Sequence, residues 1–407
     1  MLAPGTRSYV VRMTHVRALV LALVGLAGVA PAAQDTLWEK YMSAGGESFA
    51  KGNYAEAEKM WLAARKEAEG FGPEDVRLAA TLTNLAELYR REGKLPAAGW
   101  LNRRALVITK RNKGSHHPQV ATILNNLATL YATEGRYADA EKLFRRALIL
   151  RERTLGPDSL DVAASYDNLA LLYHDDVHFT EAEALHRRAL AIREKALGPT
   201  NPGITVTLGH LASLYSDQEN YTDAERIYRR MLTIRESALG ADHPDVAAVL
   251  DALGDLYRKQ GKYAQAEPLY KRALAIREKA YGADNVALLP TLKNAAAFYE
   301  EQDKFPEADA FYRRIVAIQE KRVPNGDAEL ARSLNDLADI CRRQGKFPEA
   351  ESLYKRALAI DERSLGAEHE EVASLLENYA VLLRQMGRDQ DAAPLEGRAR
   401  TIRDKHG

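Results

Sequence analysis

A helix-turn-helix phrase recurs in this chain every 42 residues. Three of its copies read LNNLATLYATEGRYADAEKLFRRAL (124–148), DALGDLYRKQGKYAQAEPLYKRAL (251–274) and NDLADICRRQGKFPEAESLYKRAL (335–358). The turn of each central copy holds an aromatic residue, at Tyr137, Phe179, Tyr221, Tyr263, Phe305 and Phe347, and weaker copies place Tyr54, Leu95 and Asp389 there. A fixed period of this length is typical of a solenoid or a propeller. Stacked repeats present long surfaces, so the period favours a binding function over a catalytic pocket.

Residues 1–33 lie outside the repeat and have the pattern of a secretory signal. Arg7, Arg12 and Arg17 precede an apolar run of 13 residues (18–30), and Ala30-Pro31-Ala32 supplies small residues for cleavage. The run is shorter than the ~20 residues that span a bilayer. We therefore expect an exported protein, periplasmic or secreted, cleaved near Ala32 or Ala33. An uncleaved N-terminal anchor, the only expected link to a membrane, and a start at Met13 are the alternatives.

Charge and cysteine content narrow the function classes. The chain carries 57 basic and 57 acidic side chains, and this balance argues against a nucleic-acid binder, which would carry a basic excess. Cys341 is the only cysteine, so the chain forms no intramolecular disulfide. Other copies hold tyrosine at the same repeat position, for example Tyr131 and Tyr257, which predicts that Cys341 is a buried core residue.

Each copy predicts two helices joined by a short turn. Leu124, Leu127, Ala128 and Tyr131 are spaced i, i+3, i+4 and i+7, and they form one apolar stripe that ends before Gly135. A second stripe follows the turn at Ala140, Phe144, Ala147 and Leu148. Pro290 falls within the first helix of the seventh copy, where it is expected to delay or kink that helix.

The second helices carry acid-to-base pairs four residues apart. The pairs are Glu141 with Arg145, Glu183 with Arg187, Glu225 with Arg229, Glu267 with Lys271 and Glu351 with Lys355. Each contributes about 0.3–0.5 kcal/mol to a surface helix, which explains the recurring Arg-Arg and Lys-Arg dipeptides. A basic stripe for anionic partners is the alternative.

The pattern A-x-L-Y-x-x-x-G-x-Y-x-x-A-x-x-x-F-x-x-A-L closely resembles the tetratricopeptide repeat. The 42-residue period and links such as LGADHPDVA (239–247) resemble the kinesin light chain variant of that family. The resemblance implies an all-α, right-handed superhelical solenoid of about nine antiparallel helix pairs over residues 37–404. The expected copies lie near 37–70, 77–112, 119–154, 161–196, 203–238, 245–280, 287–322, 329–364 and 371–404.

The resemblance also implies a peptide-binding groove on the free face of the first helices. On that face we place Asn125, Thr129, Asp167, Asp251, Asp255, Lys293, Asn335 and Asp339. Beside them runs an amide-rich ladder that includes Asn84, Asn126, Asn168, Asn294 and Asn378. These amides either hold an extended peptide backbone or bond to a neighbouring first helix. The central carboxylates are expected to favour basic side chains of a partner.

Residues that could support chemistry are few. His174 and His178 stand four apart with two aspartates between them, but no third ligand is placed, so we predict no metal site. His117 and His243 recur before a helix and are interpreted as cap or loop residues. We predict a non-enzymatic scaffold for a protein or extended peptide, with no cofactor, nucleic acid or small-molecule substrate. An accessory subunit that presents substrate to a separate envelope enzyme is the alternative, and a catalytically active repeat protein is a third.

Overall fold

The computed structural model describes residues 33–323 and 325–406 of the 407-residue chain. The predicted signal segment, except for its last residue, lies outside the described residues. The described residues divide into two compact units, one that ends at Ile108 and one that begins at Thr109. Within the described ranges all regular structure is helical, and eighteen α-helices occur. The predicted all-α class with nine helix pairs is confirmed.

First and second helices alternate along the chain. The first helices of the copies are α1 (Ala33–Ala50), α3 (Val76–Arg91), α5 (Pro118–Thr133), α7 (Leu160–Asp175), α9 (Thr205–Asp217), α11 (Pro244–Lys259), α13 (Leu289–Glu300), α15 (Ala328–Arg343) and α17 (Glu370–Gln385). The second helices are α2 (Tyr54–Gly70), α4 (Leu95–Lys113), α6 (Tyr137–Leu155), α8 (Phe179–Leu197), α10 (Tyr221–Leu239), α12 (Tyr263–Tyr281), α14 (Phe305–Arg322), α16 (Phe347–Ser364) and α18 (Asp389–His406). Each second helix therefore begins at the repeated turn position.

The turn within each copy needs one residue with a left-handed backbone. Gly135 supplies it after α5 with a φ of 74°, and the amide of Arg136 then donates to the carbonyl of Tyr131 at 2.8 Å. Glycine adopts this conformation without steric cost because it has no Cβ atom. Three copies use another residue there: Val177, Glu219 and Asp303 have φ values of 61°, 58° and 55°.

The links between copies are closed by caps on the first helices. Nδ1 of His117 accepts a hydrogen bond from the Gln119 amide at 3.2 Å, and Nδ1 of His243 accepts one from the Asp245 amide at 3.1 Å. A side chain that accepts from the first free amides stabilises the start of a helix. The interpretation of both histidines as cap residues is confirmed.

Pro290 lies in the first turn of a helix that starts late in its copy. A 3-10 turn at Val286–Leu288 precedes α13, and Pro290 is at the start of the α-helix. Proline has no amide hydrogen, so it is tolerated in the first turn and cannot continue a helix that began a full turn earlier. The predicted delay is observed, but α9 starts equally late, at Thr205 after a 3-10 turn at Pro202–Ile204, with Val206 at the matching position. The delay therefore does not depend on Pro290 alone.

The core contains leucines, alanines and aromatics at the predicted stripes. Ala128 and Ala140 are fully buried, and Phe144 and Tyr257 are each 4 % exposed. Cys341 is fully buried, and burial raises the pKa of its thiol to about 12. The prediction that Cys341 is a core residue is confirmed. In the first copy the ring of Trp61 lies where a Cβ on Gly45 would be, 2.4 Å from it, so glycine is required there.

Candidate binding face on the first helices

In each copy from α5 to α17, two positions on the first helix were predicted to line the groove. We call the side of the helices that carries these positions the first-helix face. The pairs are Asn125 and Thr129, Asp167 and Leu171, Gly209 and Ser213, Asp251 and Asp255, Lys293 and Ala297, Asn335 and Asp339, and Glu377 and Val381. Lys293 is exposed, and Asn125, Thr129, Asp255, Asn335 and Asp339 are half-buried. The remaining two predicted residues, Asp167 and Asp251, are buried.

Asp251 is a structural residue, and its prediction as a peptide contact is wrong. It is 4 % exposed, and its Oδ2 pairs with the guanidinium of Arg277 from α12. The hydroxyl of Thr291, from the first helix of the next copy, donates to the same oxygen at 2.8 Å. The reason is that this position faces the second helix of its own copy and the first helix of the next.

Asp167 has the same structural role in the fourth copy, two copies before Asp251. Its prediction as a peptide contact is also wrong. Its Oδ2 accepts from Thr207 Oγ1 at 2.7 Å and from Arg193 Nη2 at 3.2 Å, while Nδ1 of His186 lies 2.9 Å from its Oδ1. Burial alone would raise the pKa of Asp167, but the hydrogen bond with His186 and the nearby imidazole of His210 lower it below its ordinary value.

The amide ladder joins consecutive first helices. Nδ2 of Asn168 donates to Oδ1 of Asn125 at 2.8 Å, and Nδ2 of Asn378 donates to Oδ1 of Asn335 at 3.0 Å. Asn294 donates to Asp255 in the same way at 3.1 Å. For these three amides the alternative of a bond to a neighbouring first helix is confirmed. Asn126, and Asn84 in the first unit, are half-buried.

Charged pairs continue this network toward the helix ends. Lys259 Nζ lies 3.3 Å from Asp217 Oδ1, and Lys293 Nζ lies 3.0 Å from Glu329 Oε1. Arg258 pairs with Glu301 across α11 and α13. The side chains of Asp217 and Glu301 are 36 % and 43 % exposed. Partly exposed pairs of this kind are weak, so their charged groups can exchange partners.

An acidic spot lies where α13 and α15 meet. Asp336 is exposed at this spot, where removal of part of its water by surrounding atoms, together with the carboxylate of Glu300, raises its pKa to about 6. A hydrogen bond with Asn335 acts in the opposite direction, and the carboxylate of Asp339 raises the pKa further. This carboxyl would gain from an added cation.

The arginines of the second helices connect successive copies. Arg145 pairs with Glu141 at 2.8 Å, as predicted, and also donates to the Tyr173 hydroxyl at 2.6 Å. From α10 onward the next arginine pairs with a glutamate of the preceding second helix, as Arg230 Nη2 does with Glu194 Oε1 at 2.6 Å. The predicted acid-to-base pairs are confirmed, and the bonds between copies were missed. Their signal was the constant spacing of Arg and Tyr, 28 residues.

The two histidines weighed as a metal pair point to different carboxylates. Nε2 of His174 lies 3.1 Å from Asp217 Oδ2, and Nδ1 of His178 lies 3.2 Å from Asp176 Oδ2. The structure does not bring them to one site. Among the described residues a different group, Asp167, His186 and His210, places three possible ligands together.

Comparison with known proteins identifies the family. The tetratricopeptide repeat family matches residues 101–148, 119–195, 178–237, 203–279, 253–321 and 325–405. The chain is a tetratricopeptide repeat protein. No curated protein sequence matches it. None of the helices of this tetratricopeptide repeat protein within residues 33–323 and 325–406 is long and apolar enough to cross a membrane.

Solved structures share the fold of this tetratricopeptide repeat protein. A Signal Transduction ATPase with Numerous Domains (STAND) protein with a tetratricopeptide repeat sensor, from Pyrococcus horikoshii, is 17% identical, with a TM-score of 0.54 over 90% of this chain and 52% of that chain. The quorum sensor NprR from B. thuringiensis is 15% identical, with a TM-score of 0.51 over 90% and 98%. A kinesin light chain-type repeat protein from Podosopora anserina is 24% identical, with a TM-score of 0.45 over 51% and 97%.

Proposed function

We propose that this tetratricopeptide repeat protein is a non-enzymatic scaffold that binds an extended peptide or protein segment along the first-helix face. The observation that carries the proposal is the run of partly exposed amides and charged groups on consecutive first helices from α5 to α17. The opposite sides of these helices are buried in the core. Stacked repeats present such a face as one extended surface, which suits a linear ligand.

The chemistry of the face suits a peptide with basic side chains. Half-buried amides such as Asn125 and Asn335 can donate to and accept from a peptide backbone. Exposed carboxylates at this face include Asp217, Glu301 and Asp336, whereas Asp167 and Asp251 are buried and are not available to a ligand. A basic side chain of the ligand would replace Lys259 or Arg258 as the partner of these groups, and it would relieve the crowding of negative charge at Asp336.

A charge-matched pair of variants tests the site. The protein is immobilised, peptides are selected from a random library, and their affinities are measured by fluorescence anisotropy at low and high salt. We expect selected peptides to be enriched in Lys and Arg, and Asp217→Asn/Glu301→Gln/Asp336→Asn to weaken them at least tenfold, with a smaller loss at high salt because exposed charges are screened. The control, Asp139→Asn/Glu181→Gln/Glu307→Gln, removes three carboxylates from second helices and should leave affinity unchanged. Equal losses in both variants would show that net charge, rather than this face, governs binding.

We further propose that the protein is exported, on the strength of the basic, apolar and small-residue pattern at 7–33. N-terminal sequencing of the protein from its own host should find a mature chain that starts near Ala32 or Ala33. A chain that still starts at Met1 or Met13 would contradict cleavage. Affinity capture from the envelope fraction separates a scaffold from an enzyme accessory, since the accessory role requires an enzyme to co-purify in a fixed ratio.

A further inference from the structure

Two histidines and an aspartate meet at the junction between the fourth and fifth copies. Asp167 comes from α7, His186 from α8 and His210 from α9. Nδ1 of His186 lies 2.9 Å from Oδ1 of Asp167, and Nδ1 of His210 lies 3.9 Å from the same oxygen. One ligand atom from each of the three residues lies within 4.8 Å of the others. The centroids of the two imidazole rings are 5.2 Å apart.

The repeat provides an internal comparison for these two histidines. At the position of His186 five other copies have an aromatic ring, Phe144, Tyr228, Tyr270, Tyr312 or Tyr354. At the position of His210 other copies have Asn168, Ala252, Asn294, Asp336 or Asn378. The junction at Asp251 has the same carboxylate, a matching arginine and a matching threonine, but it places Tyr270 and Asn294 where the histidines would be. Both departures from the repeat therefore occur at one junction, on two helices that meet in space.

One nitrogen that faces the cluster has no partner. Nδ1 of His210, which lies 3.9 Å from Oδ1 of Asp167, is buried and makes no hydrogen bond, and His186 beside it is fully buried. A buried nitrogen that makes no bond costs free energy, which a bound ion would recover. Arg193 and Thr207 hold Oδ2 of Asp167, so its Oδ1 stays turned toward the rings. Such supporting contacts orient the ligands of metal sites in proteins.

We propose that Asp167, His186 and His210 form a binding site for a divalent transition-metal ion of the Zn²⁺ class. Zinc takes one carboxylate and two imidazole ligands readily, at about 2.0–2.2 Å. Tetrahedral ligands at that distance lie roughly 3.3–3.6 Å apart, between the 2.9 and 3.9 Å that separate Oδ1 of Asp167 from the two rings. A small shift of the rings therefore suffices. The side chain of His210 is 20% exposed, which leaves a route for the ion and a fourth position for water.

The ion would act as a bridge between copies. His210 belongs to the first helix of the fifth copy, whereas Asp167 and His186 belong to the fourth. An ion that binds the folded chain but not the unfolded chain raises the stability of the fold by mass action. It would therefore stabilise this junction above the neighbouring ones, and loss of the ion would weaken the array at that place.

The test uses the full-length chain freed of metal with a chelator. Co²⁺ is titrated first, because its visible absorption bands report coordination of low symmetry. Zn²⁺ binding is then measured by calorimetry, and thermal melts are recorded with and without Zn²⁺. We expect one ion per chain and a melting temperature that rises with Zn²⁺. His186→Tyr and His210→Asn introduce the side chains that the junction at Asp251 already accommodates, so they should fold, lose the Co²⁺ bands and lose the response to Zn²⁺. Thr207→Val keeps all three ligands and should weaken binding about 10–100-fold.

Three outcomes would overturn the proposal. The first is the absence of stoichiometric Co²⁺ or Zn²⁺ binding to the metal-free chain. The second is binding that both histidine variants retain, which would place the ion elsewhere. The third is a melting temperature of the unaltered chain that does not change with Zn²⁺, which contradicts a bridging ion. This measurement, with the melts of Thr207→Val, still decides if the histidine variants fail to fold.

Discussion

The hydroxyl of Tyr257 accepts a hydrogen bond from Nη2 of Arg229 at 2.9 Å, from one copy to the next. Arg229 also pairs with Glu225 one turn earlier on its own helix, at 2.8 Å. The ring of Tyr257 is buried in the core, whereas its hydroxyl lies at the edge of that core. One side chain therefore contributes apolar packing within its copy and a polar bond to the preceding copy.

Replacement of Tyr257 separates these two contributions. Tyr257→Ala removes a packed aromatic ring and should lower the free energy of unfolding by ~3–5 kcal/mol. Tyr257→Phe keeps the ring, loses the bond from Arg229 and should cost about 1 kcal/mol. Urea denaturation of both variants measures the difference. An alanine variant as stable as the parent would contradict the placement of Tyr257 in the core.

Val177 is expected to be a site where glycine stabilises the fold. Its φ of 61° lies in the left-handed region, and its side chain is 69% exposed, so little packing would be lost. A left-handed backbone costs an L-residue about 1–2 kcal/mol, and glycine avoids that cost at an entropic loss of roughly 0.5–1 kcal/mol. Val177→Gly should therefore raise the free energy of unfolding by up to ~1 kcal/mol. Val177→Ala is the control, because it keeps a Cβ atom, and it should remain the less stable of the two.

Asp361 should make stability depend on pH. It is 3 % exposed, its Oδ1 has no hydrogen-bond partner, and burial, with the nearby Glu371, raises its pKa from 3.8 to about 6. Because the folded chain binds this proton more tightly than the unfolded chain, the stabilising effect is present at low pH and is lost as pH rises from about 4 to about 6. Asp361→Asn should raise the free energy of unfolding at pH 7 by ~1–3 kcal/mol, with a gain that shrinks toward pH 5.

The matched control for Asp361 is Asp309→Asn. Asp309 is also buried, but its carboxylate is paired with Arg313 at 2.7 Å. Its replacement should lower stability at pH 7, because Arg313 loses one of its two carboxylate partners and keeps only Glu349, at 2.8 Å. If both variants changed stability in the same direction, burial without a partner would not explain the behaviour of Asp361.

The buried pair of Asp251 and Arg277 should show strong coupling. Asp251→Ala leaves the guanidinium of Arg277, which is 8% exposed, without its carboxylate and should cost ~3–5 kcal/mol. Asp251→Ala/Arg277→Met removes both charges, so its cost should be smaller than the sum of the two single changes. Equilibrium denaturation of the four proteins completes the cycle. Additive costs would mean that the two side chains do not stabilise each other.

The fold was predictable because its signals are local. The turn aromatics fall at the first residue of the second helices, as at Tyr137 and Tyr263, and the apolar stripes identify which side of each helix is buried. Pro290 fits the first turn of α13 because it has no amide hydrogen to contribute there. Each of these features depends on residues within one copy, which a single sequence displays in full.

The binding face was harder to predict because it depends on contacts between copies. A helical wheel places Asp167 and Asp251 away from the stripe of their own helix, and it contains no information on how closely the next copy approaches. The second-helix residues Arg193 and Arg277 extend to these carboxylates and help to enclose them. The recurrence of this arginine, at Arg151 and Arg235 as well, was the signal that could have shown it.

In the second unit, the bonds between Arg and Tyr and between the amides link a copy to its immediate neighbour, and they use the same positions each time. If a segment of 42 residues were deleted or duplicated, the copies that become neighbours could therefore form the same bonds. Such a protein can change its length by whole copies during evolution. The junction of His186 and His210 is the exception, since its two halves differ from those of the neighbouring junctions. Recombination that separated the fourth copy from the fifth would leave each histidine facing a tyrosine or an amide, so these two copies are expected to be inherited together.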